Sequence, residues 1–341
     1  MCPSTRALFA CAFLATVISA GASADECKLQ RVASLDFTEN GAIIIPVSLA
    51  GTSVRMALDT GSPLSAVDPI VAHNLHLIEQ RIMQGAMYDS AGEPFTYIAV
   101  VHDLGLGDMH ASSVKLAVWP SPMGSGDFRM GGTLGADLLR HFDVDIDFAA
   151  HKLSLFAQDH CPGKVVYWTS GGVAVVPMHV VNSGHIIVSV KVDGVPFDAL
   201  LDTGSTFSHL SLEAADDMFH LVPTSPDMTK VSENGGPGGV PIYRHTFKGL
   251  ELEGITIANP AIDIFENLAK ARQTPQSGSR ISDADESGGN TDMVLGLQEL
   301  HRLHLYIAYK EQKLYISSAS APTVAAANAA ATPASTTAAA H

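Results

Sequence analysis

Apolar and polar positions alternate over most of the chain, the pattern of half-buried β-strands. Ile43-Ile-Ile-Pro-Val47 and Ile186-Ile-Val-Ser-Val190 are β-branched runs with turns at Gly51 and Gly194. Val54 to Leu58 and Phe197 to Leu201 read as return strands, each ending at an aspartate. Helical spacing is confined to short stretches. Asp68 to Gln80 has it, with Ile70, Val71, Leu75 and Ile78 apolar, and Ser211 to Phe219 is its partner helix. Asp68 and Ser211 are the expected N-caps. The pattern predicts an all-β protein of two lobes with a few short helices.

The two lobes are predicted because the chain repeats itself. Gly41-Ala-Ile-Ile-Ile45 matches Gly184-His-Ile-Ile-Val188, and the same offset of 143 carries Val47 onto Val190, Leu58 onto Leu201 and Ser65 onto Ser208. Within that ungapped stretch Asp59-Thr-Gly-Ser62 falls on Asp202-Thr-Gly-Ser205. A second pair follows: Thr133-Leu-Gly135 and Val294-Leu-Gly296, each leading into further alternation. The offset grows between the two motifs. The extra residues fall on Gln273 to Asn290, a polar, Gly- and Ser-rich stretch that reads as a surface loop.

Composition bounds the rest. The chain has 341 residues, 46% apolar and 16% charged, enough for a large core and too apolar for global disorder. Twenty Lys and Arg against 35 Asp and Glu leave a formal charge of −15, which excludes nucleic acid as the main partner. The 15 histidines show no metal-ligand spacing, so no metal and no cofactor are expected. His301-Arg-Leu-His304 reads as surface histidines and Gly105-Leu-Gly-Asp108 as a turn. There is no Gly-x-Ser-x-Gly elbow for a serine hydrolase.

Residues 1–24 read as a signal peptide, with Arg6, an apolar run from Leu8 to Ile18, and Ala22-Ser-Ala24 as cleavage site. No later stretch is long and apolar enough to span a membrane. The expected location is periplasmic or secreted. Cys27 and Cys161 then remain, an even number in an oxidising compartment, and are expected to form a disulfide. The expected organisation is signal peptide 1–24, first lobe 25–165, second lobe 166–317 and a disordered Ala/Thr-rich tail 318–341.

With its repeated Leu-Asp-Thr-Gly-Ser and the Leu-Gly motif after each copy, the chain resembles the aspartic peptidases of the pepsin and retropepsin superfamily. The segment Ser65 to Leu77 is similar to bacterial retropepsin-like members. The resemblance spans roughly residues 35–317. It implies a bilobal pepsin-like fold, a polypeptide substrate and catalysis by Asp59 and Asp202, one from each lobe. Two carboxylates about 3 Å apart share one proton, because both cannot ionise easily. The ionised one activates water and the protonated one polarises the scissile carbonyl.

The resemblance also assigns supporting roles. Thr60 and Thr203 hydrogen-bond across the lobes, and Gly61 and Gly204 permit a tight turn and close approach. Ser62 and Ser205 donate to the outer carboxylate oxygens, and Gly135 and Gly296 brace the two loops. A flap is expected at Gln84 to Val101, with Ser90 and Gly92 at its tip and Tyr88 and Tyr97 flanking it. Since one chain supplies both aspartates, a monomer is expected. The alternative is a peptidase-fold binding or inhibitory protein, because fold does not settle function.

Overall fold

The computed structural model describes residues 28–82, 87–88, 94–120, 130–267 and 291–319, with 87–88 and 94–95 described by backbone alone. Strands dominate, and the α-helices among the described residues are Pro69–Asn74, Ala136–Leu139, Leu212–Phe219 and Leu297–Leu300.

Each half opens with the same hairpin. Ile43–Leu49 pairs antiparallel with Thr52–Leu58, and Ile186–Val192 pairs antiparallel with Val195–Leu201. Two-residue turns join them, Ala50-Gly51 with φ of 50° and 81° and Asp193-Gly194 with φ of 47° and 84°. Two positive φ values in succession make the turn whose twist matches the flanking strands, which is why a glycine stands second in both.

The return strand of each hairpin runs to the Asp-Thr-Gly-Ser loop. Beyond that loop the chain re-enters the sheet as Ala66–Val67 or His209–Ser211. A third short strand then inserts between the two. Gly132–Leu134 lies parallel to the first return strand, Leu134 beside Leu58, and antiparallel to Ala66–Val67. Met293–Leu295 repeats this, Leu295 beside Leu201, against His209–Ser211. Each aspartate loop is therefore held from both sides by the strand that ends in Leu134-Gly135 or Leu295-Gly296.

One sheet joins the halves. Arg31–Asp36, Lys152–Phe156 and Asp143–Asp147 come from the first half, and Leu303–Ala308, Lys313–Ser318 and Ala174–Val180 from the second, in that order. The seam is the antiparallel pair with Val144 opposite Ile307 and Ile146 opposite Leu305. Val144, Ile146, Leu305 and Ile307 enter the main core. The alternate residues, Asp143, Asp145 and Asp147, face a smaller polar and aromatic layer.

In that layer His160 Nε2 is 2.6 Å from Asp143 Oδ2, and its Nδ1 is 3.8 Å from Glu311 of the second half. His304 Nε2 is 2.6 Å from Asp145 Oδ1, and Trp168 stacks on its ring at 4.5 Å. Tyr167 donates to Asp145, and Trp168 Nε1 donates to Ser317 Oγ at 3.0 Å. These buried polar groups are paired with one another, as a protein interior favours.

Several expectations are corrected. The helix expected from Asp68 to Gln80 ends at Asn74, His76 adopts φ 53°, and Ile78–Arg81 is a strand paired with Tyr97–Val100. Ile70 and Ile78 are 50% and 58% exposed, so the apolar spacing that suggested one continuous helix does not mark a buried face. His304 is not a surface residue but 5% exposed, because the alternation of its strand turns it into the Asp145 layer. The N-caps fall where expected: Asp68 accepts from Ile70 N and Ser211 from Ala214 N. Cys161 is disulfide-bonded, and its partner lies outside the described residues, as does Cys27. The expected loop Gln273–Asn290, the signal segment and all of the tail beyond Ala319 also lie outside them.

The lobe seam makes a quantitative test. Asp145→Ala strips His304 and Tyr167 of their common acceptor, and breaking a buried pair from one side costs about 3–5 kcal/mol. Urea unfolding should show that loss as a lower midpoint. An unchanged midpoint would remove this layer from the account of what joins the halves.

Candidate active site

The two loops meet at the boundary of the halves and grip each other reciprocally. Thr60 N donates to Thr203 Oγ1 at 3.0 Å, and Thr203 N donates to Thr60 Oγ1 at 3.1 Å. Each hydroxyl then donates across to the other half's return strand, Thr60 Oγ1 to Leu201 O at 2.7 Å and Thr203 Oγ1 to Leu58 O at 2.9 Å. Both threonines are fully buried. Four hydrogen bonds thus fix one aspartate loop against the other with every buried polar group in the lock satisfied.

The lock brings Asp59 and Asp202 into hydrogen-bond contact. The glycines show how tight the approach is. A Cβ on Gly61 would stand 2.3 Å from Asp202 Cγ, and one on Gly204 would stand 2.3 Å from Asp59 Cγ. Neither glycine has positive φ, so it is space for the opposite carboxylate that excludes a side chain. Gly61 N donates to Asp59 Oδ1 at 2.9 Å and Gly204 N to Asp202 Oδ1 at 2.7 Å.

Both carboxyls are raised above the usual carboxylate range. For Asp59 the shift is large. Burial is the main cause, followed by the charge of Asp202 and the hydrogen bond between the two, partly offset by the N–H groups of Gly61 and Ser62. For Asp202 burial again dominates, and the bond to Asp59, Gly204 N–H, His185 and Ser205 N–H all work against it. The pair titrates as one unit.

The loops are braced from behind. Asp59 N donates to Leu134 O and Asp202 N to Leu295 O, both at 3.0 Å. Ala136 N reaches Ser62 O and Leu297 N reaches Ser205 O, both at 2.8 Å. A Cβ on Gly135 would meet Leu64 C at 2.7 Å, and one on Gly296 would meet Phe207 C at 2.5 Å, so both braces need glycine for close approach. The serines act differently from expectation: Ser62 Oγ donates to Leu64 O at 2.8 Å and Ser205 Oγ to Phe207 O at 3.0 Å. Their backbone N–H groups, not their hydroxyls, face the carboxylates, because each hydroxyl closes its own loop.

A family model for aspartyl proteases matches residues 45–138 and 188–298, and each matched segment contains one of the two aspartate loops. The chain belongs to the aspartyl protease family. Among solved structures it is similar to basic 7S globulin from soybean, at 10% identity and TM-score 0.44 over 86% of this chain and 96% of that one. It is also similar to an aspartic proteinase from Irpex lacteus, at 12% identity and TM-score 0.46 over 86% and 99%. No curated protein matches the chain.

Other parts of this aspartyl-protease site are less complete. Met87–Tyr88 and Pro94–Phe95 form a two-stranded ladder where the flap was expected, with Tyr88 opposite Pro94. Ser90 and Gly92 lie outside the described residues, and the Tyr88 side chain is likewise not described. Tyr97 is 44% exposed, opposite Arg81.

Three residues escaped the sequence reading. Ser65 Oγ donates to Asp137 Oδ1 at 2.6 Å and accepts from Gly135 N, while Ser208 Oγ donates to Glu299 and accepts from Gly296 N. These carboxylates anchor the braces. They occupy non-equivalent positions, Asp137 two residues and Glu299 three residues past the glycine, so the repeat alone does not align them. The third is His185. Its signal was visible as a histidine standing where the other repeat has Ala42.

Thr60→Val keeps the shape of the lock but removes an acceptor for Thr203 N–H and a donor to Leu201 O. Two buried groups left unpaired cost roughly 2–4 kcal/mol, measurable by urea denaturation. The dyad itself should oppose stability. A carboxyl raised in the folded state binds its proton more tightly there, so stability falls as pH rises through the carboxylate range. Asp59→Asn removes that penalty. It should melt several degrees above wild type near neutral pH, with the gap closing below about pH 4.

Proposed function

We propose that this protein is an exported aspartic endopeptidase. One observation carries the reading: carboxylates from separate halves are locked together by reciprocal threonine bonds, close enough to hydrogen-bond each other. That arrangement suits water-mediated hydrolysis of a peptide bond. A water held between the carboxyls gives a proton to the ionised one as its oxygen attacks the scissile carbonyl. The protonated carboxyl hydrogen-bonds the carbonyl oxygen, and the leaving nitrogen takes up a proton as the bond breaks. Family membership supports a polypeptide substrate, which would lie extended between the halves.

One chain supplies both aspartates, so no partner subunit is needed for the chemistry. Among the described residues no helix is long and apolar enough to cross a membrane. Export is supported by the basic and apolar N-terminus and by the disulfide at Cys161, since stable disulfides belong to oxidising compartments.

The test is cleavage of a diverse peptide mixture from about pH 3 to pH 7, read by mass, with wild type beside Asp59→Asn and Asp202→Asn. Each substitution removes one half of the acid–base pair and should lower turnover by at least about 10²- to 10⁴-fold. Turnover retained by either folded variant would refute the mechanism. No cleavage by folded wild type would favour a binding role for the same fold.

A further inference from the structure

The two lobes are nearly symmetric at the dyad, yet one residue beside it is not matched. In the first hairpin Ile43 stands opposite Leu58, and one further step of that register sets Ala42 opposite Asp59. In the second, the ladder ends with Ile187 opposite Leu200, and its register carried two steps past that end brings His185 toward Asp202. The influence of the His185 ring on the Asp202 carboxyl places the two side chains near each other. The first aspartate thus has a methyl group for its neighbour and the second has an imidazole.

We propose that His185 is a third ionisable group of the active site, set beside Asp202 and not beside Asp59, and that it directs the dyad to keep its negative charge on Asp202. The proposal rests on the endopeptidase reading for its kinetic consequence, but not for its electrostatics.

The surroundings hold the ring in place. His185 is 6% exposed, and Ser183 Oγ lies 3.0 Å from its Nδ1. Its carbonyl accepts from Val181 N at 3.0 Å, which closes the turn it sits on. That turn is wedged against the other lobe. A Cβ on Gly184 would lie 2.9 Å from Ala136 Cβ, and Ala136 N in turn holds Ser62 O of the first aspartate loop.

Asp202 faces the ring across the strand pair, with Asp59 beyond in the dyad. Arg140 of the first lobe reaches the same turn, its Nη1 donating to Asn182 O at 3.4 Å. When the ring carries a proton, it places a positive charge beside Asp202, and an opposite charge at that range favours the ionised carboxylate. The electrostatics of the site have this sign: His185 pulls Asp202 downward. Asp202 is then the carboxylate that takes the proton from water, and Asp59 the one that hydrogen-bonds the carbonyl.

The experiment compares wild type with His185→Gln, which keeps polarity and bulk but cannot become cationic. The acid limb of kcat/KM should move to higher pH by about one unit or more, with KM little changed at the plateau. An unmoved limb in a folded variant overturns the proposal. A second readout needs no activity: carbon-13 NMR titration of the labelled aspartate carboxyls. The lower-titrating step of the dyad should move up in His185→Gln, and coincident titrations overturn the proposal even where wild type shows no turnover and the endopeptidase reading itself has failed. Should His185→Gln not fold, Ser183→Ala frees the ring from its anchor and is read by the same titration. A smaller shift in the same direction supports the assignment, and no shift overturns it.

Discussion

Everything at the centre of this molecule depends on the reciprocal hydrogen bonds of Thr60 and Thr203. They force two carboxylates into a space where both cannot comfortably be charged. Burial and mutual repulsion push the pair upward, and the backbone N–H groups of Gly61 and Gly204 recover only part of that cost. A site of this kind cannot assemble from one half. Each threonine hydroxyl donates to the return strand of the other half, so the lock forms only when both hairpins are in register. The stability that the dyad costs must come from elsewhere in the fold.

The sheet shared by the halves is the evident source. Its apolar face joins the core, and its other face carries buried, hydrogen-bonded polar groups among stacked aromatics. Buried ion pairs are a weak source of net stability, because desolvation offsets attraction. Here their directionality matters more. Asp143 reaches His160 and Tyr306, and Asp145 reaches His304 and Tyr167. Three of those partners, Tyr167, His304 and Tyr306, belong to the second half. A one-residue slip at the seam would turn His304 and Tyr306 away from Asp145 and Asp143. The layer therefore specifies register between the halves, and register is what the threonine lock requires.

Much of this was legible because the repeat is written in residue types with narrow physical roles. Glycines at 51 and 194 report positive-φ hairpin turns, and glycines at 61 and 204 report the approach of a carboxylate from the other half. The failures have one cause, which is that local pattern does not say which face a residue will occupy. Ile78 has helical spacing from Leu75 but sits on an exposed strand opposite Val100. His304 looked like a surface histidine because its partner Asp145 is far away in sequence. The hydroxyls of Ser62 and Ser205 were assigned to the carboxylates, whereas the loop brings a nearer acceptor, the carbonyl two residues on.

Duplication gives symmetry, but the chemistry needs a difference, since one carboxyl must accept a proton while the other holds one. The lock cannot supply that difference: its four bonds are nearly equal in the two senses, and each aspartate receives one glycine N–H at similar distance. The inequality has to enter from residues that broke the repeat. Several such positions lie against the loops, among them Asp137 and Glu299, which anchor the braces through Ser65 and Ser208. Thr206, whose counterpart is Pro63, donates to Gly41 O at 2.6 Å and ties the second loop to the first hairpin, a neutral contact that adds rigidity without charge. His185, whose counterpart is Ala42, adds an ionisable ring on one side alone. Unlike the Thr206 hydroxyl, the imidazole can distinguish the carboxylates electrostatically, and it acts on Asp202.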